Sequence, residues 1–131
     1  EGGALKEFIK LLYFGVAAIL GNGRQVISWI HMVDLVNCYI AAMENEKMSG
    51  AYNAVAPFPV TNRELVLQLA NTRGKRYLPF SVPSFLLKII LGEMSIEILK
   101  STTVSSKKIE IAGFNFKYKT IDAALSNLLN K

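Results

Sequence analysis

Apolar residues recur at helical spacing across residues 4–14, with Leu5, Phe8, Ile9 and Leu12 on one side and Lys6 and Lys10 on another. That pattern predicts an amphipathic helix ending at Gly15. Residues 25–31 carry Val26, Ile27, Trp29 and Ile30, the β-branched and aromatic content of a strand. A helix is expected from about Val33 to Asn45, with Val36, Tyr39, Ile40 and Met43 as its apolar stripe, and Gly50 restarts the chain. Residues 51–56 are short and apolar around Asn53, and Pro57 and Pro59 restrict them to a buried strand running into a loop.

Thr61-Asn62-Arg63-Glu64 has the form of a capping box, in which hydroxyl and carboxylate each satisfy the other residue's amide. The helix it opens buries Leu65, Val66 and Leu69 and stops at Gly74. Tyr77-Leu78-Pro79-Phe80 reads as extended, and an apolar helix follows from Phe85 to about Leu91, interrupted at Gly92. From Glu93 onward the chain is richer in Ser, Lys and Ile. Met94, Ile96, Ile98 and Leu99 suggest a helix, and Ser105-Ser106-Lys107-Lys108 opens another that runs through Ile111 to Gly113. Phe114 to Tyr118 alternates like a strand, and a helix from Thr120 to Leu129 closes the chain. No internal repeat is visible. The order of elements suits the trailing part of an α/β fold, or α+β if the segment stands alone.

Composition sharpens this picture. The 131 residues hold one domain with a core, or one and a half small lobes. They are 51% apolar with a mean hydropathy of +0.29, as expected of a piece cut from a larger core. A membrane span is not expected, because Leu11 to Leu20 and Phe85 to Leu91 are broken or bounded by Lys10, Gly21, Lys88 and Glu93, well short of the ~20 apolar residues required. No signal peptide is legible. The net charge of +5 is dispersed and accompanies no groove-reading motif, so nucleic-acid binding is not expected. One cysteine, Cys38, allows no intrachain disulfide and fits a reducing, cytoplasmic setting, where it reads as a small core residue.

Candidate chemistry is sparse. A search for a dinucleotide turn finds only Gly21-Asn22-Gly23, which lacks a third glycine and opens a strand instead of a helix. Tyr13, Tyr39, Tyr52, Tyr77 and Tyr118 are followed four residues later by Ala17, Met43, Ala56, Ser81 and Asp122, so no Tyr-x-x-x-Lys pair exists. A single histidine with no cluster of cysteines or carboxylates makes no metal site. His31 is read as a satisfied structural residue in preference to a catalytic one, and Asp34 as a cap for the amides of its own helix. No catalytic, cofactor-binding or metal-ligating residue is assigned.

The run from Gly21 to Leu35, with Gln25, Trp29, His31 and Asp34 at their spacings, resembles the G-x-G-x-Q and W-I-H-x-x-D-L segment of the NAD(P)-dependent epimerase/dehydratase-like branch of the short-chain dehydrogenase/reductases. Gly2-Gly3-Ala4-Leu5, Tyr52 to Pro57, Leu91-Gly92-Glu93-Met94 and Ala112 to Phe116 extend the resemblance over essentially the whole chain, to the small "epimerase family" proteins with a short C-terminal domain of unassigned function. The resemblance implies the C-terminal, substrate-side part of an extended Rossmann-type enzyme, helix-rich with a few short strands. Residues 1–92 would be the trailing part of that fold with the substrate lobe, and residues 93–131 a small helical C-terminal domain with one strand.

Because the chain begins at Glu1, the cofactor loop and the Tyr-x-x-x-Lys pair are expected upstream, in a longer enzyme that uses NAD or NADP. No cofactor and no activity are expected of these residues alone. The resemblance places Arg24, Trp29, His31 and Asn53 along the substrate, with Arg24 divided between a substrate anion and a surface ion pair, Trp29 read first as a core aromatic, and Asn53 as part structural and part cleft-lining. Departures limit the implied substrate. Ile27-Ser28 stand where sugar-nucleotide epimerases usually carry Arg-Asp, Ala17-Ala18 replace a Gly-Gly pair and Val26 replaces a tryptophan. The expected partners are a small molecule, the upstream nucleotide-binding domain and, through the bared helices 4–14 and 85–91, a second copy. The rival reading is a non-catalytic protein-interaction module.

Overall fold

The computed structural model describes residues 4–74, 76–91, 93, 96 and 99–129. In chain order its elements are helix α1 (Ala4–Tyr13), strand β1 (Val16–Leu20), strand β2 (Val26–Ile27), helix α2 (Met32–Glu44), strand β3 (Val60–Thr61), helix α3 (Asn62–Thr72), strand β4 (Leu78–Val82), helix α4 (Ser84–Leu91), helix α5 (Lys107–Ile111) and helix α6 (Ile121–Leu129). This is an α/β chain, rich in helix with a few short strands.

Strand β1 organises the main core. It is wholly apolar, and its Ala17, Ala18 and Ile19 are buried, as a strand covered on both faces requires. It pairs in parallel with β4, Val16 opposite Leu78 and Leu20 opposite Val82. Helix α1 lays Phe8 and Leu12 on this layer, α3 adds Val66, Leu69 and Ala70, and α6 brings Leu125 into the same cluster. The capping box at the start of α3 forms as its sequence dictates: Thr61 Oγ1 accepts from the Glu64 amide at 3.2 Å, and the Glu64 carboxylate accepts from the Thr61 amide at 2.7 Å. A smaller cluster gathers Cys38, Ile109 and Phe116, with Ile30, Met48, Tyr52, Ala54 and Phe114 against it.

Several expectations change. Residues 25–31 form a strand only at Val26–Ile27, which pairs antiparallel with Val60–Thr61. Residues 51–56 and 114–118 carry no strand; their backbones bond to side chains and loops instead of a ladder. The stripe of α2 does not face the core: Val36, Tyr39, Ile40 and Met43 are exposed, Tyr39 at 67% and Met43 at 78%, while Asp34 and Cys38 are its buried residues. The side expected to be bare on α1 is partly covered, since Phe8 and Leu12 enter the core, whereas Phe85 and Ile89 of α4 are exposed. Ser106 holds the N-cap position of α5 without a side-chain cap bond; its hydroxyl donates to the Glu110 carboxylate. The helix expected around Met94 to Leu99 lies largely outside the described residues.

Candidate functional site

The turn between β1 and β2 is tied down by its neighbours. The Gly21 amide donates to the Val82 carbonyl at 2.9 Å and the Gly23 amide to the Leu20 carbonyl at 3.0 Å. Asn62 is buried and accepts from the Leu20 amide at 2.9 Å, and buried Gln25 donates to the Leu20 carbonyl at 3.0 Å. Both glycine amides are therefore committed to backbone, and the space above Gly23 is filled, because a Cβ there would lie 2.5 Å from Ile19 Cγ2. The turn does not fit a dinucleotide phosphate, which needs free amides converging on a helix start. Arg24 stands exposed on this turn, its own amide donating to Asn22 Oδ1 at 2.9 Å.

Trp29, His31 and Asn53 lie on two adjoining segments. The Ala56 amide donates to the Trp29 carbonyl at 2.7 Å, and Trp29 Nε1 donates to the Phe58 carbonyl at 2.9 Å, which joins residues 29–31 to residues 53–58. Trp29 is half-buried and lies outside both apolar clusters. Asn53 is exposed and its Nδ2 donates to the Ser105 carbonyl at 3.2 Å. The structure thus brings three of the four candidates onto one pair of loops and sets Arg24 apart on the β1–β2 turn.

The cap of α2 is His31 and not Asp34. Extended backbone at His31 (φ −76°, ψ 141°) lets Nδ1 accept from the Val33 amide at 3.1 Å, which assigns the ring proton to Nε2 in the neutral imidazole. His31 is buried, and its ring stacks on that of Tyr118 with centroids 4.0 Å apart. Asp34, 0% exposed, accepts from the amides of Lys117 and Tyr118, each at 2.8 Å. A carboxylate inside the protein is tolerable only with such donors, and short charge-assisted bonds of this kind are the strong ones. Nearby Cys38 is buried, and burial first, then the Asp34 carboxylate, push its thiol up from the ordinary range, which disfavours the thiolate.

Residues 82–128 match a family described as "Domain of unknown function (DUF1731)". Over 132 aligned residues it is 38% identical to an epimerase family protein of Staphylococcus aureus strain MRSA252, covering all of this chain and 43% of that protein. The chain belongs to the epimerase family. Among solved structures, the human epimerase family protein SDR39U1 (isoform 2) with NADPH superposes on this epimerase-family chain with a TM-score of 0.89 at 26% identity, covering 100% of this chain and 44% of that one. A nucleoside-diphosphate sugar epimerase from Corynebacterium glutamicum matches with a TM-score of 0.65 at 27% identity, over 95% of this chain and 22% of its own. The chain therefore spans less than half the length of these relatives.

Among the described residues no group of three or more His, Cys, Asp and Glu side chains is placed to hold a metal ion, and no helix is long and apolar enough to cross a membrane. Ser28, Ser105 and Lys108, which sequence reasoning gave no site role, join these segments to residues 101–118: Ser28 donates to the Thr102 carbonyl, the Ser105 carbonyl accepts from Asn53 and Lys108 donates to the Ala51 carbonyl, while Asp34, expected as a cap, accepts from Lys117 and Tyr118.

Proposed function

We propose that this epimerase-family chain is the substrate-binding C-terminal portion of an NAD(P)-dependent oxidoreductase of the nucleotide-sugar epimerase/dehydratase kind. A dinucleotide-binding part elsewhere in the protein would hold NAD or NADP, and this part would close over a small molecule in a cytoplasmic setting. Arg24 would meet an anionic group of the substrate, Trp29 would offer its indole face to a ring, and His31 and Asn53 would supply polar contacts. In this division residues 1–92 carry the wall of the cleft and residues 93–131 support it.

The observation that carries this reading is the bare face of α2. Met32, Val36, Tyr39, Ile40 and Met43 recur at helical spacing and are all exposed, on a helix that His31 caps and Trp29 leads into. Contiguous exposed apolar surface of this kind marks an interaction face. Relatives more than twice as long have the additional chain to cover it, and a part seated there would stand next to the loops that hold Trp29, His31 and Asn53. The NADPH in the human structure belongs to that protein; for the present chain it motivates the choice of probe.

The test is calorimetric titration of NADPH into the 131-residue chain, followed by the same titration after co-expression with its upstream coding segment. No micromolar binding is expected in the first case, and binding with reductase activity in the second. Micromolar binding by the 131 residues alone would overturn the assignment of the cofactor to another part. The same bare stripe supports a second reading, a non-catalytic interaction module. A stoichiometric complex with the upstream segment that binds no dinucleotide and turns over no substrate would favour it. Self-association through the exposed residues of α4 belongs with either reading, and sedimentation reports it directly.

A further inference from the structure

We propose that residues 101–118 form a strap that positions the cleft loops, with Asp34 as its anchor and as a positioning residue for His31. The inference deepens the reading of Trp29, His31 and Asn53 as cleft residues, and it gives a task to a stretch that lies within the matched domain of unknown function.

Along its path the strap touches Val26, Ser28, residues 49–53 and the start of α2. At its start, the Val26 amide donates to Ser101 Oγ at 2.9 Å and the Thr102 amide to the Val26 carbonyl at 3.1 Å. Ser28 then donates its hydroxyl to the Thr102 carbonyl at 2.9 Å and accepts from the Val104 amide at 3.0 Å, one residue before Trp29. The Ser105 carbonyl accepts from Asn53. Lys108 Nζ donates to the Ala51 carbonyl at 2.7 Å and the Ser49 carbonyl at 3.3 Å, and lies 4.2 Å from the centre of the Tyr52 ring. The strap ends where Asp34 grips the Lys117 and Tyr118 amides and the Tyr118 ring meets His31.

The kind of contact decides what the strap does. An element serving only to fill the protein would send its apolar residues into the main core around Ile19 and Leu69, yet the buried apolar residues of the strap, Ile109 and Phe116, join the smaller cluster beneath the loops. Its hydrogen bonds run to the backbone of Val26, Ser49 and Ala51 and to the side chains of Ser28, Asn45, Asn53 and Asp34. Hydrogen bonds fix angle and register where apolar burial does not. Asp34 acts at the far end: its carboxylate places Tyr118, and Tyr118 in turn packs on the imidazole that caps α2.

One histidine and one tryptophan make the test clean, because the imidazole C–H and indole N–H resonances each belong to a single residue. The variant Asp34→Asn keeps the volume but turns an NH2 toward one of the two amides. It is expected to shift the His31 ring signals away from their Tyr118 ring-current positions and to speed exchange of the Lys117 and Tyr118 amides about tenfold or more, with the Val66 and Leu69 methyl signals unchanged. Ser28→Ala is expected to shift the Trp29 indole N–H, and Ser28→Thr, which keeps the hydroxyl, to restore it. His31 signals that stay fixed while the two amides are released would overturn the proposal. So would loss of the core methyl signals in both Asp34→Asn and Ser28→Ala, since the strap would then be general support. No ligand enters this measurement. A strap that behaves as expected, in a protein whose Trp29 and His31 no substrate ever perturbs, would sink the substrate-side reading alone.

Discussion

Replacing Gly23 by alanine tests how tightly the β1–β2 turn is closed, and Gly74 supplies the control. Both residues have positive φ, +71° and +63°. An alanine forced into that region loses about 1–2 kcal/mol, offset by about 0.4–1 kcal/mol because the unfolded chain also loses freedom. At Gly74 nothing lies within 4 Å of the new methyl, so the net cost is about 1 kcal/mol or less. At Gly23 the methyl would sit 2.5 Å from Ile19 Cγ2 and 3.0 Å from Arg63 Cβ. Ile19 is 1% exposed within β1, and Arg63 is held at the start of α3 by the hydrogen bond its backbone amide donates to the Gly23 carbonyl at 3.0 Å, so neither can retreat. Overpacking of this kind adds about 1–3 kcal/mol, for a total of about 1–4 kcal/mol at Gly23. Urea unfolding followed by Trp29 fluorescence reads both variants. Gly23→Ala should lie at least about 1 kcal/mol below Gly74→Ala, and in combination with Ile19→Ala, which removes the clashing methyl, its cost should fall below additivity. Two variants within about 0.5 kcal/mol of each other would refute the claim that the turn is sterically closed.

Other expectations follow from the same geometry. Thr61→Ala removes half of the capping box and should cost about 1 kcal/mol in urea unfolding. The Glu64 carboxyl is held below its ordinary range, first by the Thr61 backbone amide and then by the Thr61 hydroxyl, so its contribution is present above the unfolded value and is lost as pH falls through the folded one; Thr61→Ala, which removes the hydroxyl and keeps the amide, should reduce that acid limb without abolishing it. The raised Cys38 thiol favours its neutral form in the folded state, so its contribution is full below the unfolded value and fades as pH rises above it. Alkylation by iodoacetamide at pH 8 should be slow until urea unfolds the chain, and rapid labelling of folded protein would contradict the burial. On the bare face of α2, Val36→Gln and Tyr39→Lys should change the stability of this chain by no more than about 0.5 kcal/mol while preventing association with the co-expressed upstream segment in a pull-down.

What was legible in the sequence is what local signals encode. The spacing of Phe8 and Leu12, the Thr61–Glu64 pair, and glycines after α1, α3 and α5 specify helices within a few residues of themselves, and those helices are present. Strand β1 was hidden because a strand buried on both faces has no alternation, and Val16 to Leu20 merges with the apolar end of α1. The apolar positions of α2 were legible but their direction was not, since periodicity reports that a face is apolar without saying whether this chain covers it. Residues 51–56 and 114–118 have strand-like composition, yet β-propensity reports fitness for a pleated surface, and no neighbouring strand is offered to them. In the candidate site, Asp34 looked like a cap because it stands in a first helical turn; its true partners are amides 83 and 84 residues away, beyond the reach of any spacing argument.

The parallel pairing of β1 with β4 also governs how the chain acquires its shape. Val16 cannot meet Leu78 until everything between them, including α2 and α3, has been made and drawn together. Closing so long a loop delays the reward of its contacts, which slows folding relative to a chain built from neighbouring pairs. On the ribosome this buried apolar strand is therefore born long before its mate, and it is the segment for which a chaperone would have to wait.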